Sequence, residues 1–356
     1  MFGGCFLDKR IIITGNTGFK GSWLSLWLRS LGANVIGYSL DPDTEPSHWN
    51  ELGLDCSYHA ADVRDTTRLN RVFKEISPDL VFHLAAQPLV RLSYEEPLET
   101  WSTNVIGTAN VLNACRDIEN LSGVVVVTTD KVYENSEHGL PFSEHEKLGG
   151  GDPYSASKAA CELVVQSFKK SFFSTSGPLI ASVRAGNVIG GGDWAKDRLV
   201  PDIVKASVKN TPLTIRYPDA VRPWQHVLDS LSGYLCIAQK MLSRDRVCEG
   251  AWNIGPDIEQ VVSVKEILSL MQSYWPDLKW DNSKAEVLPE AKLLRLNSDK
   301  AKEYLGWQPI WGLNQTVEHT AAWYKHFYSM NRVISREQLK QYHNDAVLKG
   351  VNWACK

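Results

Sequence analysis

Tyr154 and Lys158 lie four residues apart in DPYSASKAACELV, where Asp152 suits a helix cap and Pro153 its first turn. Four residues is about one helical turn, so the phenol and the ammonium share a face. A cation within about 4–6 Å favours the phenolate of a tyrosine whose ordinary pKa is about 10. Such a phenolate can take the proton of a hydroxyl while hydride leaves the same carbon. The apolar run VVVVTT ends just upstream at Thr129. A hydroxyl at the carboxyl end of a buried parallel strand stands where ligands of such sheets bind, so Thr129 is placed to hydrogen-bond the reacting oxygen.

The partner for that hydride is indicated nearer the N-terminus. RIIITGNTGFKGSWLSLWL reads as a strand, a turn and a helix, with Gly15, Gly18 and Gly21 at intervals of three. Glycines there permit a tight turn, close approach of a pyrophosphate to the backbone, and contact of helix with strand. The free N–H groups and dipole of the helix attract an anion. Although the spacing departs from G-x-G-x-x-G, its place between first strand and first helix predicts dinucleotide binding.

Asp41 follows the second strand at the distance expected of a ribose ligand, or is a solvated loop acid. Asp62 can accept the adenine amino group with Val63 against the ring, or else opens the next helix. Leu84, Ala85 and Ala86 end the fourth strand, the two alanines leaving room for a cofactor backbone. No Lys or Arg occurs between residues 30 and 63, so nothing local neutralises a 2′-phosphate, and NAD is expected rather than NADP.

Positioning these residues takes a particular scaffold. Strand-like runs at 10–14, 34–39, 58–61, 80–85 and 123–129 alternate with helical stretches at 18–29, 66–76, 97–116 and 152–173. The alternation predicts an α/β fold with a doubly wound, Rossmann-like parallel sheet, and the continuous β-branched runs predict burial on both faces. The expected NAD-binding domain spans 1–185, with returning segments near 226–260. A smaller substrate-binding lobe takes 186–225 and 261–330, including a Leu-rich segment at 292–296, and 331–356 form a helical tail on the outside.

Together, the glycine turn, Thr129, the Tyr-x-x-x-Lys pair and RAGNVIGGGDW resemble the extended short-chain dehydrogenase/reductase family of sugar-nucleotide epimerases and dehydratases. Within it, TGFKGSWL, AAQPLVRLSYEEP, STNVIGTANVL, TTDKVY, DPYSASK, VRAGNVIGGGDW and LGWQPIW resemble the enzymes that dehydrate CDP-glucose. The likeness runs from about residue 9 to about residue 330.

The resemblance implies a hydro-lyase with an internal redox cycle. Tyr154 deprotonates the C4 hydroxyl as NAD takes the C4 hydride, water is lost across C5 and C6, and hydride returns to C6. The product is a CDP-4-keto-6-deoxy-D-glucose that feeds deoxysugar and lipopolysaccharide O-antigen synthesis. Related hexose dehydratases carry Thr-Asp-Glu where this chain has Thr129-Asp130-Lys131. By the same likeness Asp130 protonates the departing C6 oxygen, and Lys131 is either the C5 base or an ion-pair partner of Asp130. Thr17, Phe19, Lys20, Asn104 and Lys158 join the cofactor site. Gln87 and Arg91 line the hexose pocket, while Asn187, Arg198, Arg222 and Arg295 hold diphosphate and base, a task suited to the guanidinium fork.

A homodimer or homotetramer built on the helices near 97–116 and 153–173 is also implied. A 4-epimerase, a dehydratase of another nucleotide sugar and a non-catalytic NAD-sensing regulator are the alternatives. Asp130 speaks against an epimerase, which has no C6 leaving group. Retention of Thr129, Tyr154 and Lys158 speaks against a sensor.

Composition narrows the remaining possibilities. The 356 residues carry 38 Lys plus Arg against 41 Asp plus Glu, a net −3, without a basic block, so neither nucleic acid nor an anionic membrane is an expected partner. Apolar runs are strand-sized and no basic-then-apolar leader is present, which predicts a soluble cytoplasmic protein. Seven scattered cysteines without a CxxC pair read as reduced thiols. Nine histidines without ligand spacing predict no metal site.

Overall fold

Strand β1 (Arg10–Thr14) carries three consecutive isoleucines, all buried, and lies in the interior of the main sheet. The computed structural model describes residues 1–135, 139–173, 177–257, 260–282 and 293–355. After β1 come α1 (Phe19–Ser30), β2 (Asn34–Ser39), α2 (His48–Leu52), β3 (Tyr58–Ala60), α3 (Thr66–Ile76) and β4 (Leu80–His83). Then follow α4 (Val90–Glu95), α5 (Pro97–Trp101), α6 (Gly107–Ala114), β5 (Gly123–Val127), α7 (Pro153–Phe172) and β6 (Leu179–Ala185).

The remaining elements are β7 (Asn187–Ile189), α8 (Leu199–Lys209), β8 (Leu213–Ile215), β9 (Val221–His226), α9 (Val227–Leu242) and β10 (Gly250–Ile254). They continue with β11 (Val261–Ser263), α10 (Val264–Gln272), β12 (Trp280–Asn282), α11 (Asp299–Leu305), α12 (Leu313–Met330), α13 (Ser335–Leu348) and α14 (Asn352–Cys355).

Seven strands pair in the order β10-β6-β5-β4-β1-β2-β3, every neighbour parallel. This is the doubly wound sheet that the alternation predicts. The chain steps outward from β1 in one direction through β2 and β3, and in the other through β4, β5 and β6. The reversal opens a crevice at the carboxyl ends of β1 and β4, where ligands of such sheets bind. Each residue of β4, β5 and β6 is buried, as their apolar composition requires. Two smaller sheets, β11-β9-β7 and β12-β8, stand over that edge.

Two local features depart from expectation. The helix expected over 97–116 is interrupted by a wide turn at Ser102–Ile106. There the Asn104 carbonyl accepts the Thr108 hydroxyl at 2.6 Å and the Cys161 thiol at 3.1 Å, so side chains compete for a carbonyl of the helical ladder. The C-terminal tail, expected on the outside, supplies Leu339, Tyr342, Ala346 and Trp353 to the main core. Its indole at Trp353 stacks on Phe2 with centroids 5.0 Å apart, closing the chain ends together over α1. Lys292, the start of the expected Leu-rich segment, lies outside the described residues.

Candidate active site

A cleft of about 740 Å³ opens at the carboxyl edge of the sheet and is bounded opposite by the loop after β7 together with α8 and β8. All the site residues expected from sequence line it except Asn104 and Arg295.

The glycine turn forms its floor. Gly15 has φ +74°, and a Cβ there would stand 2.7 Å from the Ala85 nitrogen; at Gly21 it would stand 2.0 Å from the Gly15 oxygen. These two glycines are therefore demanded by the protein itself. At Gly18 a Cβ would meet the Gly15 oxygen at an ordinary 3.5 Å and nothing else within 4 Å, so the space in front of it is left to a ligand. No side chain caps α1 at Gly18, and its first intrahelical bond runs from Ser22 to Gly18, which leaves the opening N–H groups facing the cleft end of the helix. The turn thus fits a pyrophosphate.

Around it, Thr17 bonds the Ser39 hydroxyl at 2.8 Å and donates to the Leu40 carbonyl at 2.9 Å, tying the turn to the end of β2. Asp41 accepts the Tyr58 hydroxyl at 2.8 Å at the exposed rim. Asp62 is gripped by Arg64, whose Nη2 lies 2.6 Å from Oδ2, and that grip holds its carboxyl below the usual range. Arg64 stands just past the cation-free stretch and also donates to Glu99 at 2.6 Å, so its charge is already matched. At the end of β4, His83 bridges Thr14 at 2.7 Å and Thr108 at 3.0 Å; burial lowers its pKa to about 3, keeping it neutral.

Asn104, expected at the cofactor, acts one layer further out. Its side chain accepts from the Gln87 N–H at 2.8 Å and donates to the Gln87 carbonyl at 3.1 Å and to Ser157 at 2.9 Å. It fixes the segment after Ala86 rather than reaching the cleft. The Gln87 amide is likewise spent, on Leu89 and Thr100.

The catalytic candidates meet at the ends of β5 and α7. Asp152 caps α7, accepting from the Ser155 N–H at 2.9 Å. One turn on, Tyr154 is 8% and Lys158 is 6% exposed, both lining the cleft. Their coupling differs from the expectation. Lys158 Nζ donates to the Val127 carbonyl at 3.1 Å, where β5 ends, and burial lowers its pKa. Burial pushes the Tyr154 phenol up, and Asp130 adds to that; a hydrogen bond with Thr129 and the charge of Arg198 oppose it.

Asp130 is 2% exposed, and burial raises its pKa against the pull of Lys131, Thr129, Arg222 and Lys20. Its Oδ1 accepts the Thr129 hydroxyl at 3.1 Å, while Oδ2 has no hydrogen-bond partner among the described residues. Lys20, expected with the cofactor, lines the same cleft, and its charge acts on this group. Burial first and Arg198 second bring its ammonium down to about 8, against Asp130 and Asp193, and its Nζ lies 3.4 Å from the Tyr234 hydroxyl.

On the opposite wall, Arg222 is buried and Asn187 is partly so, and both face the cleft. Arg198 donates to Asp193 at 2.9 Å. Arg295 instead donates to the Gly139 carbonyl at 3.3 Å, beside the pairing of Phe142 with Leu296. Sequence reasoning missed Asp197 and Arg216. Asp197 accepts from Arg91 at 3.3 Å and from Arg216 at 3.0 Å, so one carboxylate spans both walls at the mouth. Only the clustered charge of GGGDWAKDR hinted at it.

Comparison with known proteins agrees with this arrangement. The family model described as GDP-mannose 4,6 dehydratase matches residues 12–320. A CDP-glucose 4,6-dehydratase of Salmonella typhimurium is 46% identical over 325 residues, covering 89% of this chain and 90% of that protein. A dTDP-glucose 4,6-dehydratase of Xanthomonas campestris is 28% identical over 336 residues, covering 88% and 92%. Among solved structures, a Thermus thermophilus UDP-glucose 4-epimerase complexed with NAD superposes with a TM-score of 0.77 at 25% identity, covering 90% of this chain and 99% of that one. A Bacillus cereus UDP-glucuronic acid 4-epimerase shares the fold with a TM-score of 0.77 at 24% identity, covering 90% and 100%. A match that takes in the glycine turn, the Thr129 strand end, the Tyr-x-x-x-Lys helix and most of the opposite wall leaves one assignment, and the chain belongs to the GDP-mannose 4,6 dehydratase family.

Proposed function

We propose that this protein is an NAD-dependent CDP-glucose 4,6-dehydratase, converting CDP-D-glucose to CDP-4-keto-6-deoxy-D-glucose. The observation that carries the reading is the buried carboxyl of Asp130, whose Oδ2 has no partner among the described residues and whose protonated form burial favours, in the same cleft as Tyr154 and the glycine turn. An acid held there serves a leaving group, which an epimerase does not need. The 46% identity to the Salmonella typhimurium enzyme supports the same substrate.

The residues that would hold NAD are Gly15, Gly18 and Gly21 at the pyrophosphate, Asp41 and Asp62 at the adenosine end, and Lys158 near the nicotinamide. The pairing of Arg64 with Asp62 and Glu99 supports NAD over NADP, since the nearest cation is already matched. Bound there, NAD supplies the capacity to take a hydride from C4 and give it back at C6, ending as it began.

The chain's own residues handle protons and position. Tyr154 removes the C4 hydroxyl proton, with Thr129 holding the phenol and the reacting oxygen in line. The resulting ketone acidifies the C5 hydrogen. Lys131, on the same turn as Asp130 and lining the cleft, is the base for that proton, and Asp130 gives its own to the departing C6 oxygen, which leaves as water. Lys20 lowers the cost of the carboxylate so formed, because its charge lies within reach of Asp130. Arg222, Arg198 and Asn187 hold the nucleotide diphosphate on the far wall.

Exposed Leu98, Trp101 and Ile106 on and beside α5, with Leu163 and Phe172 on α7, support a homodimer through those helices. Cytoplasmic work suits the scattered thiols. The deciding experiment is incubation of the purified protein with CDP-glucose and, separately, with dTDP-, UDP- and GDP-hexoses, followed by the ultraviolet absorbance of a 4-keto-6-deoxy sugar in alkali. Product from CDP-glucose alone is expected; product from another nucleotide alone overturns the substrate assignment.

A further inference from the structure

Glu162 and Arg184 form an ion pair whose side chains are each 1% exposed, and neither lines the cleft. A fully buried pair is a weak source of stability compared with apolar residues of the same volume, so its worth lies in what it holds in place. Glu162, on α7, accepts four bonds. Its Oε1 takes the Thr128 hydroxyl at 2.6 Å and Arg184 Nε at 3.0 Å; its Oε2 takes the Ser182 hydroxyl at 2.6 Å and Arg184 Nη2 at 2.8 Å. Arg184, on β6, uses Nη1 to donate to the Tyr133 hydroxyl at 2.9 Å and to the Glu144 carbonyl at 2.9 Å. The Tyr133 hydroxyl donates onward to Asn253 on β10 at 2.6 Å, and its ring stacks on Phe142 at 4.8 Å.

Thr128 immediately precedes Thr129, and Tyr133 immediately follows the single helical turn Asp130–Val132. One rigid ion pair therefore fastens both ends of the turn that presents Thr129, Asp130 and Lys131 to the cleft. Asp130 needs this. Among the described residues its side chain bonds only its neighbour Thr129 and its Oδ2 has no partner, so the carboxyl stands wherever the backbone puts it. Tyr154 is held independently, by its own N–H to the Ser93 hydroxyl at 3.1 Å and by the Asp152 cap, and depends on the turn only through Thr129.

We propose that Glu162 and Arg184, acting through Thr128 and Tyr133, are positioning residues for the elimination of water, holding Asp130 and Lys131 at C6 and C5 of the substrate. The proposal rests on the 4,6-dehydratase reading.

Charge removal at Glu162 or Arg184 would strand the other ion and unfold the protein, so the test uses Thr128→Val and Tyr133→Phe, which delete one hydroxyl each and leave the ions paired. In quenched single turnovers with CDP-glucose, mass analysis separates the 4-keto-glucose nucleotide from the 4-keto-6-deoxy product. Each variant is expected to slow the second stage about tenfold, the size of one lost hydrogen bond to a charged group, and the first, which depends on the turn only through Thr129, by much less. The 4-keto-glucose species then accumulates, and Thr128→Ser, which keeps the hydroxyl, restores elimination. A folded double variant that eliminates at the parental rate overturns the proposal, and so does equal slowing of both stages, which a merely structural role would produce. Failure of the underlying reading is seen separately, as a parental protein that leaves CDP-glucose unchanged, and it overturns both.

Discussion

The ammonium of Lys158 is bonded to the carbonyl of Val127 at 3.1 Å, at the point where β5 leaves the sheet, and not to the phenol one turn earlier on its own helix. Tyr154 is consequently a buried phenol pushed up by its surroundings, and the groups that draw it down are Thr129 and Arg198. Tyr154→Phe is expected to lower C4 oxidation at least about a hundredfold, the lower end for loss of a general base. Arg198→Gln removes a cation that favours the phenolate, so the phenol rises further and the acid limb of the oxidation rate moves to higher pH. Rates of 4-keto-glucose formation between pH 6 and pH 10 measure this; a limb that stays in place, or moves down, refutes Arg198 as the tuning charge.

Asp130 acts after that step. Asp130→Asn cannot give up a proton, so the expected outcome is a normal first stage followed by a stall, with the nicotinamide left reduced and absorbing in the near ultraviolet. Turnover of Asp130→Asn at the parental rate would remove the elimination role. The sign of its pH dependence follows from burial: the raised pKa extends the protonated, acid-competent form upward in pH, and elimination falls once Asp130 ionises.

The glycine turn separates fold from ligand. Gly21→Ala brings a Cβ to 2.0 Å from the Gly15 oxygen, an overpacking that costs about 3 kcal/mol and shows as a lowered melting temperature. Gly18→Ala meets only an ordinary contact inside the protein, so it melts like the parent. Its Cβ lies instead in the path of the pyrophosphate, and calorimetric titration is expected to show NAD binding weakened about tenfold, or about 1.4 kcal/mol. Equal effects on stability from the two alanines would contradict this division.

How much of this was legible in the sequence depended on distance along the chain. The glycine turn, the Asp152 cap and the Tyr154–Lys158 helix are local devices, each written in fewer than about ten consecutive residues, and each was readable because local rules govern it. A parallel sheet covered on both faces followed from the alternation of strand-like and helical stretches, whereas the order of its strands is visible only in the structure. What a linear reading could not reach were contacts between segments far apart. The charge of Lys20 acts on Asp130, and Asp197 joins Arg91 to Arg216, only because distant segments are brought together around the cleft. Asn104 carried the right motif and a different role, since the wide turn around it aims its amide at Gln87. The direction of the Tyr154 shift was misjudged for a related reason: spacing gives a neighbour's identity, while burial and the Val127 carbonyl decide what that neighbour does.

Asp229 extends the same logic to stability. It lies on α9, fully buried, with Oδ1 accepting the Ile310 N–H at 2.6 Å and the Tyr342 hydroxyl at 2.8 Å, while Oδ2 has no partner among the described residues. Burial raises its pKa from 3.8 to about 7. Because the folded pKa exceeds the unfolded one, the stabilising contribution is fully present below about pH 4 and is lost as pH rises through about 7. Between pH 5 and pH 8 the parent should therefore lose about 3 kcal/mol from this one group. Asp229→Asn is neutral throughout and keeps an acceptor for Ile310 and Tyr342, so its stability should change less over that interval. Tyr342 belongs to α13, so the loss should begin at the C-terminal helices, with amide exchange in α13 and α14 accelerating at pH 8 in the parent and not in the variant. Identical pH dependence of unfolding in the two proteins would show that Asp229 is already ionised in the folded state at pH 5.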